Sequence, residues 1–221
     1  KKGTPVMQAI LDETRETYKA SKNICFDGNG YSEEWKKEAK KRGLDCETSP
    51  PKSYEALTTK QTVELYKRTG VMTADELEAR KETFCDIYSK KVEIEARILA
   101  DLTENHILPI ATQYESRLLE NVSKMKEVFS AQEFKKLSCT EIEMIRHIAE
   151  DLAEVRQLAE DMEAACDKAN RSKTESSKAN AYHDKILSYI EKIRTLIDDL
   201  EMIVDDEMWP LPKYRELLFI R

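Results

Sequence analysis

Glycine and proline are scarce in this chain, with 5 and 6 residues among 221. So few turn-forming residues disfavour a compact sheet protein, whose many connections depend on both. Charged residues make up 36% of the sequence, and the mean hydropathy is -0.64. These values are typical of long, solvated helices, while the apolar fraction of 40% is enough for a hydrophobic core.

Basic surface and long apolar runs are also lacking. The net charge is -7, and no basic stretch is interleaved with aromatic residues, as a nucleic-acid or anionic membrane surface would require. No segment approaches the roughly 18 continuous apolar residues of a membrane span. We therefore expect neither nucleic acid nor a membrane as a partner.

The cysteines number five, which is odd, and none forms a C-x-x-C pair; they are Cys25, Cys46, Cys85, Cys139 and Cys166. This spacing predicts reduced thiols in a cytoplasmic protein rather than a disulfide framework or a zinc site. The chain begins KKGTP, with neither a signal-peptide core nor an initiator Met. We expect it to have been cut from something longer.

The segment 138–170 has the clearest helical pattern. Apolar residues alternate three and four apart, at Ile145, Ile148, Leu152, Val155, Ala159, Met162, Cys166 and Ala169. This spacing places them on one stripe of a helix. Ser138 and Glu141 predict a capping box at its beginning.

A second long helix is predicted to begin at the Thr73 and Glu76 capping box. Its expected buried stripe is Leu77, Phe84, Ile87, Ile94, Ile98 and Leu102. Pro109 should kink this helix rather than end it. The periodicity resumes at Ile110, Tyr114, Leu118, Val122, Met125 and Phe129.

A third long helix should follow the polar segment 171–177, which predicts an exposed, mobile loop. Its stripe is Ile186, Ile190, Ile193, Ile197, Leu200 and Val204. Three such helices predict an all-α, antiparallel bundle. The apolar tail 209–219 should be docked, that is, packed against another part of the structure or against a partner.

The N-terminal part predicts shorter elements. A helix is expected over 4–22 with Thr4 as its cap, followed by an extended run at 23–26 and a turn at 27–31. A second helix should run from the Ser32 cap to residue 42, with Gly43 ending it.

The segment 44–52, which contains two prolines, predicts an irregular connector. Short helices should follow at 54–57 and 60–69, the latter ending at Gly70. We accordingly divide the chain into an N-terminal piece, a connector with short helices, and a long-helix bundle with its tail, at 1–43, 44–72 and 73–221.

Residues suited to catalysis, cofactor binding or metal binding are hard to find, and we predict none. His106, His147 and His183 lack the Glu-x-x-His spacing of a bundle metal site and are expected at the surface or the seam edge. The acidic pairs 198–199 and 205–206 are expected on solvated faces.

Two loop motifs match a known ligand-binding sequence only in part. Asp27, Asn29 and Glu38 fit three positions of a calcium loop, but Ser32 stands where that loop needs glycine. Glycines 28 and 30 lack the third glycine of a dinucleotide fingerprint. A structural turn is the preferred interpretation.

Three blocks of the sequence resemble the type III glutamine synthetases. The most specific is the closing LEMIVDDEMWPLPKYRELLF at 200–219. The others are FDGNGYSEEW at 26–35, with EA and KRGL after it, and LEAR at 77–80, leading through Tyr88 and IEA to ILP at 107–109.

The resemblance implies the C-terminal helical region of a large enzyme that joins ammonia to glutamate at the expense of ATP. It also implies ATP with Mg or Mn in the parent enzyme, a homo-oligomer, and contacts with the parent's catalytic domain. The helix at 4–22 would correspond to the end of that catalytic domain. No catalytic residue carries over, because none of the motifs for nucleotide, metal or glutamate matches here.

Three functions follow as hypotheses. The first is a structural, oligomer-supporting part of such an enzyme that is inactive alone, and the second is a stand-alone helical adaptor that recruits partner helices. The third, least favoured, is a small-molecule or metal sensor in the bundle core.

Overall fold

The structure, a computed structural model, describes residue 3 and residues 5–218. All regular structure in this part of the chain is helical, which confirms the predicted all-α class. The chain divides into two compact units, residues 1–53 and 54–221. The three-part division predicted above stays a prediction.

Unit 1 begins with helix α1 (Val6–Ser21), and the expected Thr4 cap lies outside the described residues. The predicted extended run is wrong at its start, because a 3-10 turn (Lys22–Ile24) continues the helix. Helix α2 (Glu33–Lys41) begins as predicted, since the Ser32 hydroxyl accepts a hydrogen bond from the Trp35 amide at 3.2 Å.

Two glycines end helices in the left-handed conformation, as predicted. Gly43, with φ of +75°, follows α2, and Gly70, with φ of +69°, ends α4 (Lys60–Thr69). This conformation costs other residues more than glycine, which has no Cβ.

The expected irregular connector 44–52 is wrong in its last three residues. Helix α3 (Pro50–Tyr54) begins at the first of the two prolines, and a 3-10 turn (Glu55–Thr58) follows it. Proline suits a first helical turn because its missing N–H would be unpaired there anyway.

Unit 2 is built from three long helical stretches. The first is α5 (Ala74–Leu102), a π turn (Thr103–Ile107) and α6 (Leu108–Val128); the second is α8 (Cys139–Asn170); the third is α9 (Glu175–Ala181), a π turn (Tyr182–Ile186) and α10 (Leu187–Ile203). The unit also contains α4, the 3-10 turn before it, and the short helices α7 (Ala131–Leu137) and α11 (Tyr214–Leu217).

The direction of each stretch follows from side-chain contacts near its ends. Asn121, late in α6, donates to Glu141 at the beginning of α8, and Asn170 at the end of α8 donates to Glu93 in α5. The second stretch is therefore antiparallel to the first, as predicted.

The third stretch runs parallel to the first. Tyr88 and His183 lie 2.8 Å apart near the beginnings of the two stretches, and Arg117 reaches Asp205 at 3.6 Å near their ends.

Pro109 does not end the first stretch, which confirms that part of the prediction, and the kink itself stays a prediction. The Leu108 amide bonds to the Thr103 carbonyl, five residues back, so the backbone widens into one π turn just before the proline. A π turn of this kind lets a helix continue past a residue that disturbs the α-helical ladder.

The predicted buried stripe of α5 is wrong in three of its six residues. Leu77 is buried and Phe84 and Leu102 are half-buried. Ile87, Ile94 and Ile98, however, are exposed by 44, 57 and 54%. The residues that α5 buries are instead mostly small, namely Cys85, Ser89, Val92, Ala96 and Ala100. Small side chains let neighbouring helices approach closely. Close packing of the helices, rather than side-chain hydrophobicity, therefore determines which face of α5 is buried.

Ser138 does not form the predicted capping box. Its hydroxyl donates back to the Phe134 carbonyl at 2.7 Å, because Ser138 ends α7 as well as preceding α8. The same serine-to-glutamate signal occurs earlier, at Ser130 and Glu133, and there both capping bonds form.

The predicted loop 171–177 is too long. Thr174 caps α9 by accepting from the Ser177 amide at 3.2 Å, so residues 175–177 are helical and the loop covers 171–174.

The stripes of α8 and of the third stretch are confirmed as core. All their members are buried except Ile145 and Ile190, which are half-buried. The tail docks in its first part, where Trp209 is buried and Leu211 packs against the core. Leu217 and Leu218, however, are exposed, and Phe219 lies outside the described residues.

Candidate interaction surfaces and the contacts behind them

A polar network joins the three long stretches of unit 2. The buried Tyr182 donates to the Asn170 side-chain oxygen at 3.0 Å, and the Asn170 amide group donates to Glu93 at 3.0 Å. Arg97 donates to the same Glu93 oxygen at 2.6 Å. These side chains belong to α5, to the last residue of α8 and to the second π turn, so one network fixes all three.

The network holds its groups in fixed charge states. Burial raises the pKa of Glu93, but the bonds from Asn170 and Arg97 outweigh it, and the net pKa lies below the usual value. Burial raises the pKa of Tyr182 and of the nearby Cys166 thiol. An ionised acceptor with a protonated phenol and thiol suits structural locking, whereas nucleophilic chemistry requires the thiolate.

Sequence reasoning missed this network. Asn170 and Tyr182 are 12 positions apart, and Glu93 is 77 positions from Asn170. No local spacing signals such a contact, because only the packing of the helices brings the residues together.

A second polar cluster fastens the tail to the bundle. Lys213 donates to the Glu201 carbonyl at 2.9 Å and bonds to Asp206. The Asp205 carbonyl accepts from the Trp209 amide at 3.0 Å, while its carboxylate faces Arg117. The pair 205–206 is solvent-accessible, as expected, with side chains 37 and 50% exposed. The pair follows α10 rather than lying on it, and the Asp206 carboxylate also holds Lys213 of the tail.

The pair 198–199 is exposed, as predicted. A different carboxylate is buried: Asp151 of α8 is 6% exposed, and its Oδ2 accepts no hydrogen bond in the described part of the chain. Burial raises its pKa, the His147 ring 3.6 Å away lowers it, and Asp199 raises it further.

Residues considered for metal binding are engaged otherwise. Glu38 accepts from Arg42 at 2.9 Å, and Asn29 accepts from the Tyr31 amide at 2.9 Å, which makes a turn. His183 contacts Tyr88, and the His106 and His147 side chains are exposed. Within residues 3 and 5–218, no group of three or more His, Cys, Asp or Glu side chains is placed to hold a metal ion.

Unit 1 is organised around an aromatic pair. The Phe26 and Trp35 rings stack with centroids 4.1 Å apart, and the Arg42 guanidinium lies 5.9 and 5.7 Å from them. Arg42 also donates to the Cys25 carbonyl at 2.6 Å, so it links α2 to the preceding segment. A Cβ at Gly28 would lie 2.4 Å from Phe26, so the turn requires glycine here.

Helix α1 has an uncovered apolar face. Met7, Ile10, Leu11 and Tyr18 are exposed by 73, 53, 50 and 56%. They share one side of the helix, yet no residue of α1 is buried. An amphipathic helix is usually stabilised by packing of its apolar face, so we expect this face to pack against a partner.

Helix α5 has the second uncovered face, formed by Ile87, Ile94 and Ile98.

A groove of about 730 Å³ lies elsewhere in unit 2, between the end of α8 and the third stretch. Its lining combines small and charged residues, including Ala165, Ala169, Lys168 and Lys185. None of the helices formed by the described residues has the length and apolarity to cross a membrane.

Comparison with known proteins identifies the family of this chain. The family described as "Glutamine synthetase C-terminal domain" matches residues 9–126. A glutamine synthetase of Bacteroides fragilis (strain YCH46) is 42% identical over 214 residues, which are 97% of this chain and 29% of that protein.

Two further relatives are also named as glutamine synthetases. A type-3 glutamine synthetase of Dictyostelium discoideum is 27% identical over 90% of this chain and 27% of its own length. A glutamine synthetase of Butyrivibrio fibrisolvens is 24% identical over 98% of this chain and 30% of its own length. The chain thus spans under a third of each of these relatives, and the resemblance drawn from the sequence is confirmed: the chain belongs to the glutamine synthetase C-terminal domain family.

Proposed function

We propose that this chain is the C-terminal helical region of a longer, type III glutamine synthetase and that it has a structural role there. The parent enzyme would ligate ammonia to glutamate with ATP, and residues outside this chain would bind ATP and Mg or Mn. The described residues do not fit a metal site of their own. The observation that carries the proposal is the uncovered apolar face of α1, in a chain that spans under a third of its relatives.

The proposed partner of that face is the catalytic part of the same polypeptide. Met7, Ile10 and Leu11 are each at least half exposed, and burying such side chains contributes roughly 1.5–3 kcal/mol each. The bundle of unit 2, closed by its polar network, would then brace copies of the enzyme in a homo-oligomer in the cytoplasm.

The mass of the native polypeptide tests the first part of the proposal. An antibody raised against this chain should detect, in extracts of the source cells, a product several times heavier than 25.6 kDa. A product close to 25.6 kDa would contradict the proposal.

Deletion of residues 209–221 from the complete enzyme tests the structural role. The deletion removes the buried Trp209 and the Lys213 contacts with Glu201 and Asp206, so it should reduce assembly size or lower the melting temperature. The matched control is Met202→Ala, since Met202 is 85% exposed. If the deletion behaves like this control, the tail does not support the enzyme.

The exposed face of α5 also favours a second candidate, a stand-alone adaptor that binds a partner helix. The adaptor would recover an unrelated protein in a pull-down with the native product. Recovery of glutamine synthetase subunits alone would exclude it.

A further inference from the structure

The outer face of α5 has the spacing of a coiled-coil seam. Ile87, Lys91, Ile94, Ile98 and Asp101 follow one another at intervals of four, three, four and three residues. All five are exposed. This alternation places them in one row along the helix.

The fold of this chain does not use that row. The opposite side of α5 already packs into the bundle core through Val92, Ala96 and Ala100. Exposed apolar side chains that are concentrated along one row mark an interaction surface.

We infer that this row binds the same row of α5 in a second copy of the chain, with the two helices antiparallel. A twofold axis near residue 96 places Ile94 opposite Ile98 of the second copy, and Lys91 opposite Asp101 of the second copy. Each contact then occurs twice, because a twofold interface is self-complementary. The result is an isoleucine centre flanked by two ion pairs.

Shifting the pair by one heptad gives a poorer match. The axis would then lie between residues 92 and 93. This register keeps one apolar match, Ile87 opposite Ile98, but it places Lys91 opposite Ile94 and Phe84 opposite Asp101. Charges would face apolar side chains without a partner, which is unfavourable when they are desolvated. Charge complementarity therefore selects the first register and identifies the occupant as a second copy.

The charges that the pairing uses are available. No ion pair involving Lys91 occurs within the described residues. Asp101 accepts from the Asn105 side-chain amide group at 2.6 Å and meets no cation there. The neighbouring charges Lys90 and Arg97 are paired within the helix, with Asp86 and Glu93.

Only Ile94 and Ile98 of each copy form the isoleucine centre, and Ile87 lies opposite Asn105 of the second copy, so the contact is small. Stable interfaces bury about 1,200–2,000 Å², so this seam adds to a larger assembly and does not create one alone. The inference rests on the proposed function only in that other contacts bring the copies together.

A charge swap in the native polypeptide tests the pairing. Lys91→Glu and Asp101→Lys should each place like charges opposite one another and weaken self-association by about tenfold or more, as measured by sedimentation velocity over a dilution series. The double variant K91E/D101K should return to within about twofold of wild type, because it exchanges the two partners.

The control for charge alone is Lys126→Glu, an exposed position on α6 that lies outside the row. Self-association of this variant should match wild type. Single variants that associate like wild type, or a double variant as weak as the singles, would overturn the pairing.

Cross-linking tests the register separately. Residues 91 and 101 of one helix lie about 15 Å apart, too far for a disulfide within the chain. With Cys25, Cys46 and Cys139 replaced by serine, Lys91→Cys/Asp101→Cys should form a covalent dimer on mild oxidation. Lys91→Cys alone should not.

Absence of the dimer, or equal cross-linking of the single variant, would overturn the register. The native mass decides the proposed function independently, since it reports the length of the polypeptide and not whether the α5 rows pair.

Discussion

The phenol of Tyr182 donates a 3.0 Å hydrogen bond to the side-chain oxygen of Asn170, across the turn that joins α8 to α9. The amide group of the same Asn170 donates to Glu93 of α5. Asn170 therefore both donates and accepts, and it links three helical stretches through one side chain.

Replacing Asn170 should be costly. Asn170→Ala leaves the buried Tyr182 hydroxyl without its acceptor and should lower the free energy of unfolding by about 1–3 kcal/mol. Tyr182→Phe removes the hydroxyl itself, so no donor is left unpaired, and it should cost about 1 kcal/mol. Urea unfolding measures both. Gln157→Ala is the control, because its bond to Asp161 is exposed, and its cost should stay under about 0.5 kcal/mol. Equal costs for Asn170→Ala and this control would show that the network does not stabilise the fold.

Gly28 and Gly30 offer a matched pair in unit 1. A Cβ at Gly28 would lie 2.4 Å from a Phe26 ring that is stacked on Trp35, whereas none of the described atoms lies within 4 Å of a Cβ at Gly30. Gly28→Ala should therefore disturb the stack and destabilise the unit by about 1–3 kcal/mol.

Amide hydrogen exchange in α2 measures this effect, because Trp35 belongs to that helix. Exchange should be faster in Gly28→Ala and nearly unchanged in Gly30→Ala. The explanation fails if both variants exchange alike.

Asp151 should make stability depend on pH. Burial raises its pKa in the folded state above the ordinary value of 3.8. Its contribution to stability is therefore fully present below pH 3.8 and is lost as the pH rises through the folded-state pKa. Above the folded-state pKa the fold holds a buried charge, and Asp151→Asn removes that charge.

Asp151→Asn should accordingly have a higher melting temperature than wild type at pH 7, and the difference should disappear below about pH 3.8. Asp167→Asn is the control, since Asp167 is exposed on the same helix, and it should differ little at either pH. A lower melting temperature for Asp151→Asn at pH 7 would mean that the contact with His147 outweighs burial.

Thr73 and Ser138 share the capping-box sequence, but only Thr73 forms the box. The Thr73 hydroxyl accepts from the Glu76 amide at 3.3 Å, and Glu76 bonds back to the Thr73 amide at 2.7 Å. Thr73→Ala should lower the free energy of unfolding by about 1 kcal/mol.

Ser138→Ala removes only a bond to a carbonyl one turn back and should cost less than about 0.5 kcal/mol. Thermal or urea unfolding of the two variants compares them directly. Equal losses would argue that the serine also caps its helix.

The sequence by itself determined the features that depend on neighbours along the chain. The stops at Gly43 and Gly70, the Thr73 box and the buried stripe of α8 follow from contacts within one or two helical turns. The family likewise followed from contiguous blocks such as 26–35 and 200–219. Local geometry dictates such features, so local patterns predict them.

Tertiary structure decided what periodicity could not. Helix α5 has two faces with helical spacing, a small-residue face around Ala96 and an isoleucine face around Ile94, and hydrophobicity alone favoured the wrong one. Close packing of three helices selected the small residues, since they allow the backbones to approach. The same packing joined Tyr182, Asn170 and Glu93, which no spacing in the sequence relates, and left the isoleucine face exposed at the surface.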